Sequence, residues 1–312
     1  MIQQNPRLLR GMAALARWQG GSVITIGNFD GVHLGHQTLL NCLLEKAQAY
    51  RLPSVVLLFE PQPMEYFLGS AAPLRLQHFT EKFMDLQALG IDTVCCLHFN
   101  QRFSEISAED FVKNILVDQL KVRYLSVGDD FRFGRQRRGD YQYLMQCSEQ
   151  FGFELESQTT VSLQGDRVSS TRVRDNLIAG RLDEVTTLLG HPYSVYGKVN
   201  YGQQKGRSIG FPTINLPMNR RRCLVSGVYA VALSWREQRL FGVANVGTRP
   251  TVAGSGILLE VHIFDFDQQI YGERVKVEFL KKLREEQRFD SFEALKQQIQ
   301  VDAAQAREYL LL

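Results

Sequence analysis

Two histidines three residues apart, His33 and His36, lie in the Gly-rich segment GNFDGVHLGHQ of residues 27 to 37. An apolar run that predicts a buried strand precedes this segment, and apolar residues at helical spacing follow it. A strand-to-helix turn directs free helix amides, the positive end of the helix dipole and both imidazoles at one point. We therefore predict a nucleoside triphosphate site, whose members in this segment are Gly27, Phe29, Asp30, Gly31, His33, Gly35 and His36.

Two other interpretations of the histidine pair remain open from the residues alone. The pair could hold a metal ion, but the usual helical zinc pair is spaced i, i+4 with a glutamate between its histidines, and that pattern is absent here. The segment could also be a Gly-rich turn with two solvated histidines. A second motif is needed to distinguish these two interpretations from a phosphate site.

Three further segments of the first half follow predicted strands. SSTRVR, residues 169 to 174, places hydroxyls and guanidinium groups at the start of a predicted helix, where they suit phosphate oxygens, although such a run is commonly only an N-cap. VGDDFRFG, residues 127 to 134, combines acidic, basic and aromatic groups, or is a structural turn with aromatic packing. FEPQP, residues 59 to 63, is a rigid strand exit that could line a pocket.

A basic Gly-rich loop occurs in the second half of the chain. It is suited to covering phosphates but is not a Walker A motif, because no Lys-Ser/Thr pair follows the required glycine. Its predicted phosphate-binding members are Gly202, Lys205, Gly206, Arg207 and Gly210.

Oxygen-bearing side chains follow this loop. Thr213 and Asn215 come after Pro212 and share one face of an extended segment, which suits a phosphate-bound Mg²⁺ that keeps most of its waters. Glu260 lies in an otherwise apolar predicted strand. A lone carboxylate there is either a solvent-facing edge charge or a general base.

The order of predicted strands and helices along the chain indicates two domains, which would position these groups. Strands and helices alternate from residue 22 to about 190, which indicates an α/β domain with a parallel sheet, and ligands of such sheets bind at the carboxyl ends of the strands. Short β-rich runs follow, which indicate a small antiparallel barrel or sandwich, and one helix closes the chain. We predict domains at residues 1–190 and 191–312.

Composition excludes several classes of protein. The chain has 312 residues, 44% of them hydrophobic, and no run approaches the ~20 apolar residues of a membrane-spanning helix. No signal-peptide core occurs near the start, so we expect a cytoplasmic protein. A net charge of +3 is too small to indicate nucleic acid binding. Five cysteines without a C-x-x-C pattern are typical of reduced thiols.

Taken together, GNFDGVHLGHQ, VGDDFRFG and SSTRVR resemble the bacterial riboflavin kinase/FMN adenylyltransferase family, the bifunctional FAD synthetases. The first motif alone would indicate only the broader nucleotidyltransferase superfamily. In the second half GKVNYGQQKGRSIGFPTINL, GVYAV, NVGTRPTV and LLEVHIFDFDQQIYG are similar to the riboflavin kinase module.

The resemblance implies a Rossmann-like nucleotidyltransferase domain with a parallel sheet, followed by a small antiparallel β-barrel of the riboflavin kinase type with a terminal helix. It implies that ATP phosphorylates riboflavin to FMN in the second domain and adenylylates FMN to FAD in the first, with Mg²⁺ as cofactor, no nucleic acid or membrane partner, and unknown protein partners. The catalytic residues it implies are His33, His36, Arg174 and Glu260. Ser169, Ser170 and Thr171 join the ATP site, Thr213 and Asn215 hold the metal, and Asp130, Phe131, Phe133 and Arg249 bind flavin.

Two positions depart from the family pattern. Gln62 replaces the usual histidine between two prolines, so no charge or proton transfer is expected there, although hydrogen bonding survives. Ile214 replaces alanine in the PTAN motif, and its side chain should point away from the face of Thr213 and Asn215. Two other functions stay open: a flavin or nucleotide sensor with decayed sites, and a nucleotidyltransferase that acts on a pantetheine or nicotinamide precursor.

Overall fold

The structure, a computed structural model, comprises two compact units, residues 1–170 and 171–312. It describes residues 7–128, 130–158, 161–163, 165–201, 211–218, 223–251 and 254–312, and of these it gives only the backbone at 248–251 and 254–255. The boundary between the units precedes the predicted domain boundary by 20 residues (190 minus 170). The division at residue 190 therefore stays a prediction.

The first unit contains a six-stranded parallel sheet. Its strands, in the spatial order β1-β4-β3-β2-β5-β6, are β1 (Arg7–Arg10), β2 (Ser22–Ile26), β3 (Ser54–Glu60), β4 (Thr93–His98), β5 (Val122–Gly128) and β6 (Glu154–Gln158). Every residue of β2 is buried, as are the first five residues of β3, because helices cover both faces of a parallel sheet. A two-stranded hairpin, β7 (Ser162–Leu163) and β8 (Asp166–Arg167), follows the sheet.

Helices connect the strands of this sheet. They are α1 (Met12–Leu15), α2 (Leu34–Tyr50), α3 (Pro63–Leu68), α4 (Phe79–Ala88), α5 (Gln101–Ser104), α6 (Ala108–Asp110), which continues as a π-helix (Phe111–Gln119), and α7 (Tyr141–Phe151). The packing of α2 and α4 on one face of the sheet is apolar and includes Leu40, Leu43 and Leu86. The helices are therefore held by burial, and the loops at the carboxyl ends of the strands are left to form a site.

The order of the strands reverses at β2. Strands β3 and β4 follow on one side of β2, whereas β5 and β6 lie on the other side. In an open parallel sheet the crevice at such a reversal point is where ligands bind. The loop after β2 carries both histidines, and the loop after β5 carries the VGDDFRFG segment. FEPQP, in turn, lies at the end of β3, so the fold places three of the four predicted segments at the carboxyl ends of three neighbouring strands.

The second unit begins with α8 (Ser170–Ile178) and α9 (Leu182–Leu189) and continues as an antiparallel sheet of six strands. In the spatial order β10-β13-β12-β11-β14-β9, the strands are β9 (Ser194–Lys198), β10 (Ile214–Pro217), β11 (Gly227–Trp235), β12 (Gln238–Thr251), β13 (Gly254–Ile263) and β14 (Arg274–Arg284). A single bridge between Asn200 and Asn215 joins the two ends of the sheet. The sheet is therefore a nearly closed barrel.

The closing helix, α10 (Phe292–Leu310), covers one outer face of this barrel. Ala303 and Ala306 pack against Val228 and Val243 of the sheet, and small side chains allow this close approach. The Arg284 guanidinium donates to both carboxylate oxygens of Asp302, at 2.8 and 2.7 Å. Phe292, predicted to lie in the apolar stripe of this helix, is 57% exposed, so that part of the prediction is wrong.

Both predicted fold classes are confirmed: a parallel α/β sheet in the first half, and an antiparallel barrel with a terminal helix in the second. Within the described residues, no helix is both long and apolar enough to cross a membrane.

Candidate active sites

The turn between β2 and α2 has an unusual backbone. Phe29, Gly31 and Val32 adopt φ values of 45°, 88° and 38°, a region that side-chain-bearing residues rarely occupy. At Gly31 an added Cβ would lie 2.6 Å from Leu76, so glycine is required by both conformation and space. At Gly27 an added Cβ would lie 2.9 Å from the Phe29 ring. The predicted members of the phosphate site thus shape one tight turn.

The two histidines contact each other at the start of α2. His33 is the N-cap of the helix, and its Nδ1 accepts a hydrogen bond from the backbone N–H of His36 at 3.3 Å. The two rings stack with centroids 3.7 Å apart and an angle of 14° between planes. Gly35 permits this arrangement, since a Cβ there would lie 3.2 Å from the His33 ring.

Burial keeps His36 in its neutral form. The pKa of His36 lies well below 6.5, first because burial disfavours the imidazolium and then because of the nearby His33 and Lys82. Its Nδ1 is buried, with no hydrogen-bond partner among the described residues. The ring of Phe29, 2% exposed, lies 5.0 Å from the His36 ring, centroid to centroid, and forms one wall of this environment.

Asp30 is placed inside the turn. Its carboxylate accepts hydrogen bonds from the backbone N–H groups of Leu76 and Gln77 at 3.1 and 3.2 Å, and the residue is 2% exposed. Its carbonyl oxygen accepts a hydrogen bond from the Ser170 hydroxyl at 2.8 Å, across 140 residues of sequence. The structure therefore joins Ser170 of the SSTRVR segment to the turn of GNFDGVHLGHQ. The predicted phosphate contact of Asp30 stays a prediction, and the observed contacts of its carboxylate are structural.

Helix α8 begins at Ser170, as predicted, and carries Thr171 in its first turn. Arg174 lies one turn further along the same helix. The role of Arg174 in the first site, like those of Ser169 and Thr171, stays a prediction.

The predicted flavin-binding aromatic residues differ in burial. Phe133 is 7% exposed and packs against Phe111, with ring centroids 5.3 Å apart. The Phe131 ring stacks on Phe133 at 5.4 Å and 17°. Asp130 is exposed, and its carboxylate pairs with Arg167 at 3.3 Å. We therefore expect Phe131 to meet a ligand, with Phe133 as its support.

Two features of the first site were missed at the sequence level, and the first is a buried charge network. Lys82 of α4 is 1% exposed, and its Nζ donates to the carbonyl oxygen of Asn28 in the turn at 2.5 Å. Arg75 makes two hydrogen bonds of 2.9 Å to the Glu60 carboxylate and also binds Glu65. Lys82, Arg75 and Glu65 lie in none of the predicted motifs, and only the position of Lys82 on the apolar side of α4 could have singled it out.

The second missed feature is an aromatic cluster where β3 and β4 end. The rings of Tyr66, Phe67 and Phe99 meet edge to face at centroid distances of 5.2 to 5.7 Å, and Phe67 is 65% exposed. Such rings can stack on a planar ligand. Gln62, at the N-cap of α3, is 8% exposed, and its Nε2 has no hydrogen-bond partner among the described residues. An amide donor therefore occupies the position where the family usually has histidine.

In the second unit Glu260 occupies the middle of a row of polar side chains. It pairs in register with Asn215 of β10 on one side and with Asn245 of β12 on the other. Directly paired residues of neighbouring strands point to the same face, with Cβ atoms about 4.5–5.5 Å apart. Leu259 and Val261 alternate with Glu260 and are fully buried on the opposite face. Asn245 was not predicted as a site residue.

The segment that precedes β10 is held by a histidine of the same face. His262, two residues after Glu260, donates from Nδ1 to the carbonyl oxygen of Pro212 at 2.9 Å. Burial is the main cause that lowers the pKa of His262, so the neutral ring with one fixed N–H is favoured. The amide of Asn215 donates to the carbonyl oxygen of Thr213 at 3.5 Å, and Asn215 is 6% exposed. Ile214 pairs with Val261, as expected for a side chain on the other face.

The donor set near Glu260 suits Mg²⁺. A hydroxyl, an amide oxygen and a carboxylate are hard oxygen ligands, and Mg²⁺ on a nucleotide takes few protein ligands. Among the described residues no group of three or more His, Cys, Asp or Glu side chains is arranged to hold a metal ion. The predicted metal role thus rests on Thr213 and Asn215 together with substrate phosphates.

The predicted phosphate residues Gly202, Lys205, Gly206, Arg207 and Gly210 lie outside the described residues, and so does the side chain of Arg249.

Comparison with known proteins gives a consistent result for both units. The FAD synthetase family matches residues 16–172, and the riboflavin kinase family matches residues 189–310. The chain is 47% identical over 305 residues to the bifunctional riboflavin kinase/FMN adenylyltransferase of Escherichia coli K12, covering 97% of each chain. It is 48% identical over 302 residues to the protein of the same name from Pseudomonas fluorescens, covering 96% of this chain and 97% of the other.

A solved structure from Streptococcus pneumoniae, described as a macrolide-efflux protein, has the same fold, with a TM-score of 0.77. It is 30% identical, and the match covers 91% of this chain and 93% of that one.

Proposed function

The chain belongs to the bifunctional riboflavin kinase/FMN adenylyltransferase family, and we propose that it makes FAD from riboflavin in two ATP-dependent transfers at separate sites. The barrel phosphorylates riboflavin to FMN, and the α/β unit transfers an adenylyl group from a second ATP to FMN, with release of pyrophosphate. The observation that supports the proposal is the pairing of predicted site residues in each unit, His33 with His36 in one and Asn215 with Glu260 in the other.

In the kinase step Glu260 accepts the proton of the ribityl 5'-hydroxyl as this oxygen attacks the γ-phosphorus of ATP, the bond from that phosphorus to the β,γ-bridging oxygen breaks, and ADP leaves. Its two neighbours in the row, Asn215 and Asn245, flank the carboxylate on both sides. His262 donates a hydrogen bond to the Pro212 carbonyl and so fixes the backbone directly before Thr213. Catalysis here is mostly positioning and charge stabilisation, as for phosphoryl transfer in general.

Magnesium is part of this proposal. Thr213 and Asn215 would hold Mg²⁺ together with ATP phosphates, and the ion would supply positive charge to the phosphoryl oxygens.

In the adenylyl step a phosphate oxygen of FMN attacks the α-phosphorus of ATP, and pyrophosphate leaves without a covalent enzyme intermediate. The N-terminal amides of α2, capped by His33, face the phosphates with the positive end of the helix dipole. A neutral His36 donates one N–H to oxygens on which charge develops, with Arg174 as a further donor. Phe131 is the proposed contact for the flavin ring.

Incubation of the purified protein with riboflavin, ATP and Mg²⁺, followed by chromatographic separation of flavins, tests the proposal. We expect FMN to appear first and FAD to follow, with one pyrophosphate per FAD. Tight flavin binding without either product would instead indicate a sensor with decayed sites. Adenylylation of a pantetheine or nicotinamide precursor but not of FMN would indicate a different nucleotidyltransferase.

A further inference from the structure

The buried lysine under the first site has no role in the mechanism described so far. Lys82 is 1% exposed, in the middle of α4, with apolar neighbours such as Leu86. Lysine is almost never fully buried unless its ammonium group is paired, because removing a charge from water is expensive. A lysine retained in such a place therefore requires a specific partner.

That partner is the catalytic turn itself. The Nζ of Lys82 donates to the carbonyl oxygen of Asn28 at 2.5 Å, across 54 residues of sequence. The residues directly after Asn28 include Phe29 at φ 45° and Gly31 at φ 88°. Unfavourable backbone angles of this kind persist only where surrounding contacts hold them. Lys82 supplies one of these contacts through its hydrogen bond to Asn28.

The surroundings of Lys82 act on its charge in both directions, and the net effect is a lowered pKa. Burial is the largest influence on the pKa of Lys82 and lowers it, but the carboxylates of Asp30, Glu60 and Glu65 act in the opposite direction. The guanidinium of Arg75 opposes them and is itself bound by Glu60 and Glu65. Asp30 belongs to the same turn as Asn28, so the ammonium contacts or faces this turn at two places.

The charge of Lys82 also affects the pKa of His36. Together with burial and His33, it lowers the pKa of His36. The imidazole that is proposed to face the substrate phosphates is therefore neutral, while the amino group of Lys82 contacts the same turn. A charge that is in place before the reaction stabilises developing negative charge without reorganisation of its surroundings.

We propose that Lys82 is a positioning residue for adenylyl transfer, which fixes the Asn28 carbonyl, and with it the turn of residues 27 to 33, and holds an amino group against this turn. The inference rests on the proposed adenylyltransferase function of this site. A merely structural lysine would contribute to the stability of the first unit and leave the kinetics and the titration of His36 unchanged in the protein that remains folded.

Lys82→Met tests this, since methionine keeps an unbranched apolar chain and removes the ammonium group. We expect kcat for FMN adenylylation to fall roughly ten- to a hundredfold, because small displacements of a catalytic group have effects of this size, with a much smaller change in KM for FMN. By NMR of the histidine ring protons, the pKa of His36 should rise. Riboflavin phosphorylation should be unchanged.

Lys113→Met is the matched control, because Lys113 is 54% exposed and pairs only with Asp118 among the described residues. Lys82→Gln keeps a hydrogen-bond donor without the charge, so it should recover part of the rate but not the original titration of His36. If Lys82→Met does not fold, the rate and the His36 titration of Lys82→Gln decide.

Two failures are distinguishable. If the unmodified protein does not convert FMN to FAD, the proposed function is wrong and the inference falls with it. If it does, but the folded Lys82 variants adenylylate FMN within twofold of the parent rate and His36 titrates as before, only the role of Lys82 is overturned.

Discussion

His36, the proposed donor to the phosphates, lies in an environment that resists protonation. Its ring is stacked on His33 and flanked by Phe29, and its backbone N–H is bound by the Nδ1 of His33. A protonated His33 Nδ1 could not accept that hydrogen bond, so charging the pair would also remove the cap of α2. We therefore expect a neutral His36 in the site, with positive charge supplied by backbone amides and other cations.

This environment predicts a pH-dependent stability. In the unfolded chain His36 titrates near its ordinary pKa of about 6.5, whereas in the folded protein its pKa is lower. Between these two pKa values the unfolded state binds more protons, so the stability that His36 contributes is complete above about pH 6.5 and is lost as the pH falls toward the folded pKa. Thermal unfolding from pH 8 to 5 should show the parent losing stability relative to His36→Gln below about pH 6.5. A constant difference across this range would contradict a neutral, buried His36.

Many of the individual residues of the two sites could be singled out from the sequence, because their side chains are of types that bind phosphate or transfer protons and they occur in ordered motifs. His33, His36 and Ser170 meet at one turn, and Glu260 pairs with Asn215, as the motifs indicate. Lys82 lies outside every motif, and its place beside the turn follows only from burial. Asn245 and His262 lie in the motifs NVGTRPTV and LLEVHIFDFDQQIYG, but their positions beside Glu260 follow from strand register and could not be read from the motifs.

At the scale of elements, the turn after β2 depends on the chain before α4. Asp30 binds the amides of Leu76 and Gln77, and Lys82 of α4 binds Asn28. The turn is thus connected to α4 and the chain before it by two contacts, one made by a carboxylate of the turn and one by a lysine of α4. The conformation of the turn therefore depends on both segments.

Asp30→Asn tests this connection. Asparagine fills the same space but loses the charge, and hydrogen bonds to a charged group contribute about 1.5–3 kcal/mol. We expect the free energy of unfolding of the first unit to fall by about this amount, with FMN adenylylation reduced and riboflavin phosphorylation kept. Denaturant titration and both rates should be compared with Asp118→Asn, an exposed acid of the same unit. Lost adenylylation at unchanged stability would instead support the direct phosphate contact predicted for Asp30.

Element boundaries show where sequence patterns are weak. The edge strand β1 was missed because four residues, RLLR, give no periodicity to detect. Thr80 is a common capping residue type, but the N-cap of α4 is His78, whose N–H is bound by the Glu81 carboxylate at 2.6 Å. For α10 the cap is Ser291, although the neighbouring Asp290 is also a capping residue type. Ser107 caps α6 by accepting a hydrogen bond from the Asp110 N–H at 2.9 Å. Where several capping residues are adjacent, packing selects one.

At the scale of the whole molecule, the chain forms two compact units, and we propose that each carries one of the two activities. The second unit includes α9, whose buried face consists of Leu182, Val185, Leu188 and Leu189 and which packs with β14. Its sequence gives a helix but no indication of which unit it joins. The predicted boundary at residue 190 assigns it to the first half.

Two fragments distinguish these assignments. Both residues 171–312 and residues 191–312 should convert riboflavin to FMN without making FAD. The shorter fragment should be less stable by about 2 kcal/mol or more, because the surface of β14 under α9 becomes exposed and each large buried apolar side chain contributes about 1.5–3 kcal/mol. Equal stability of the two fragments in denaturant would support the boundary at residue 190. Absence of kinase activity in both folded fragments would show that the barrel does not act alone.

The most direct test of the central claim is the flavin product distribution of two single variants, His36→Ala and Glu260→Gln, each supplied with riboflavin or with FMN. His36→Ala removes a donor on the developing phosphate charge and should accumulate FMN, with adenylylation reduced roughly a hundredfold. Glu260→Gln keeps the shape of the side chain but cannot take a proton, so riboflavin turnover should fall roughly a hundredfold while supplied FMN is converted to FAD at the parent rate. Equal loss of both transfers in either variant, or a Glu260→Gln kinase rate within a few-fold of the parent, would contradict two independent sites with these residues at their centres.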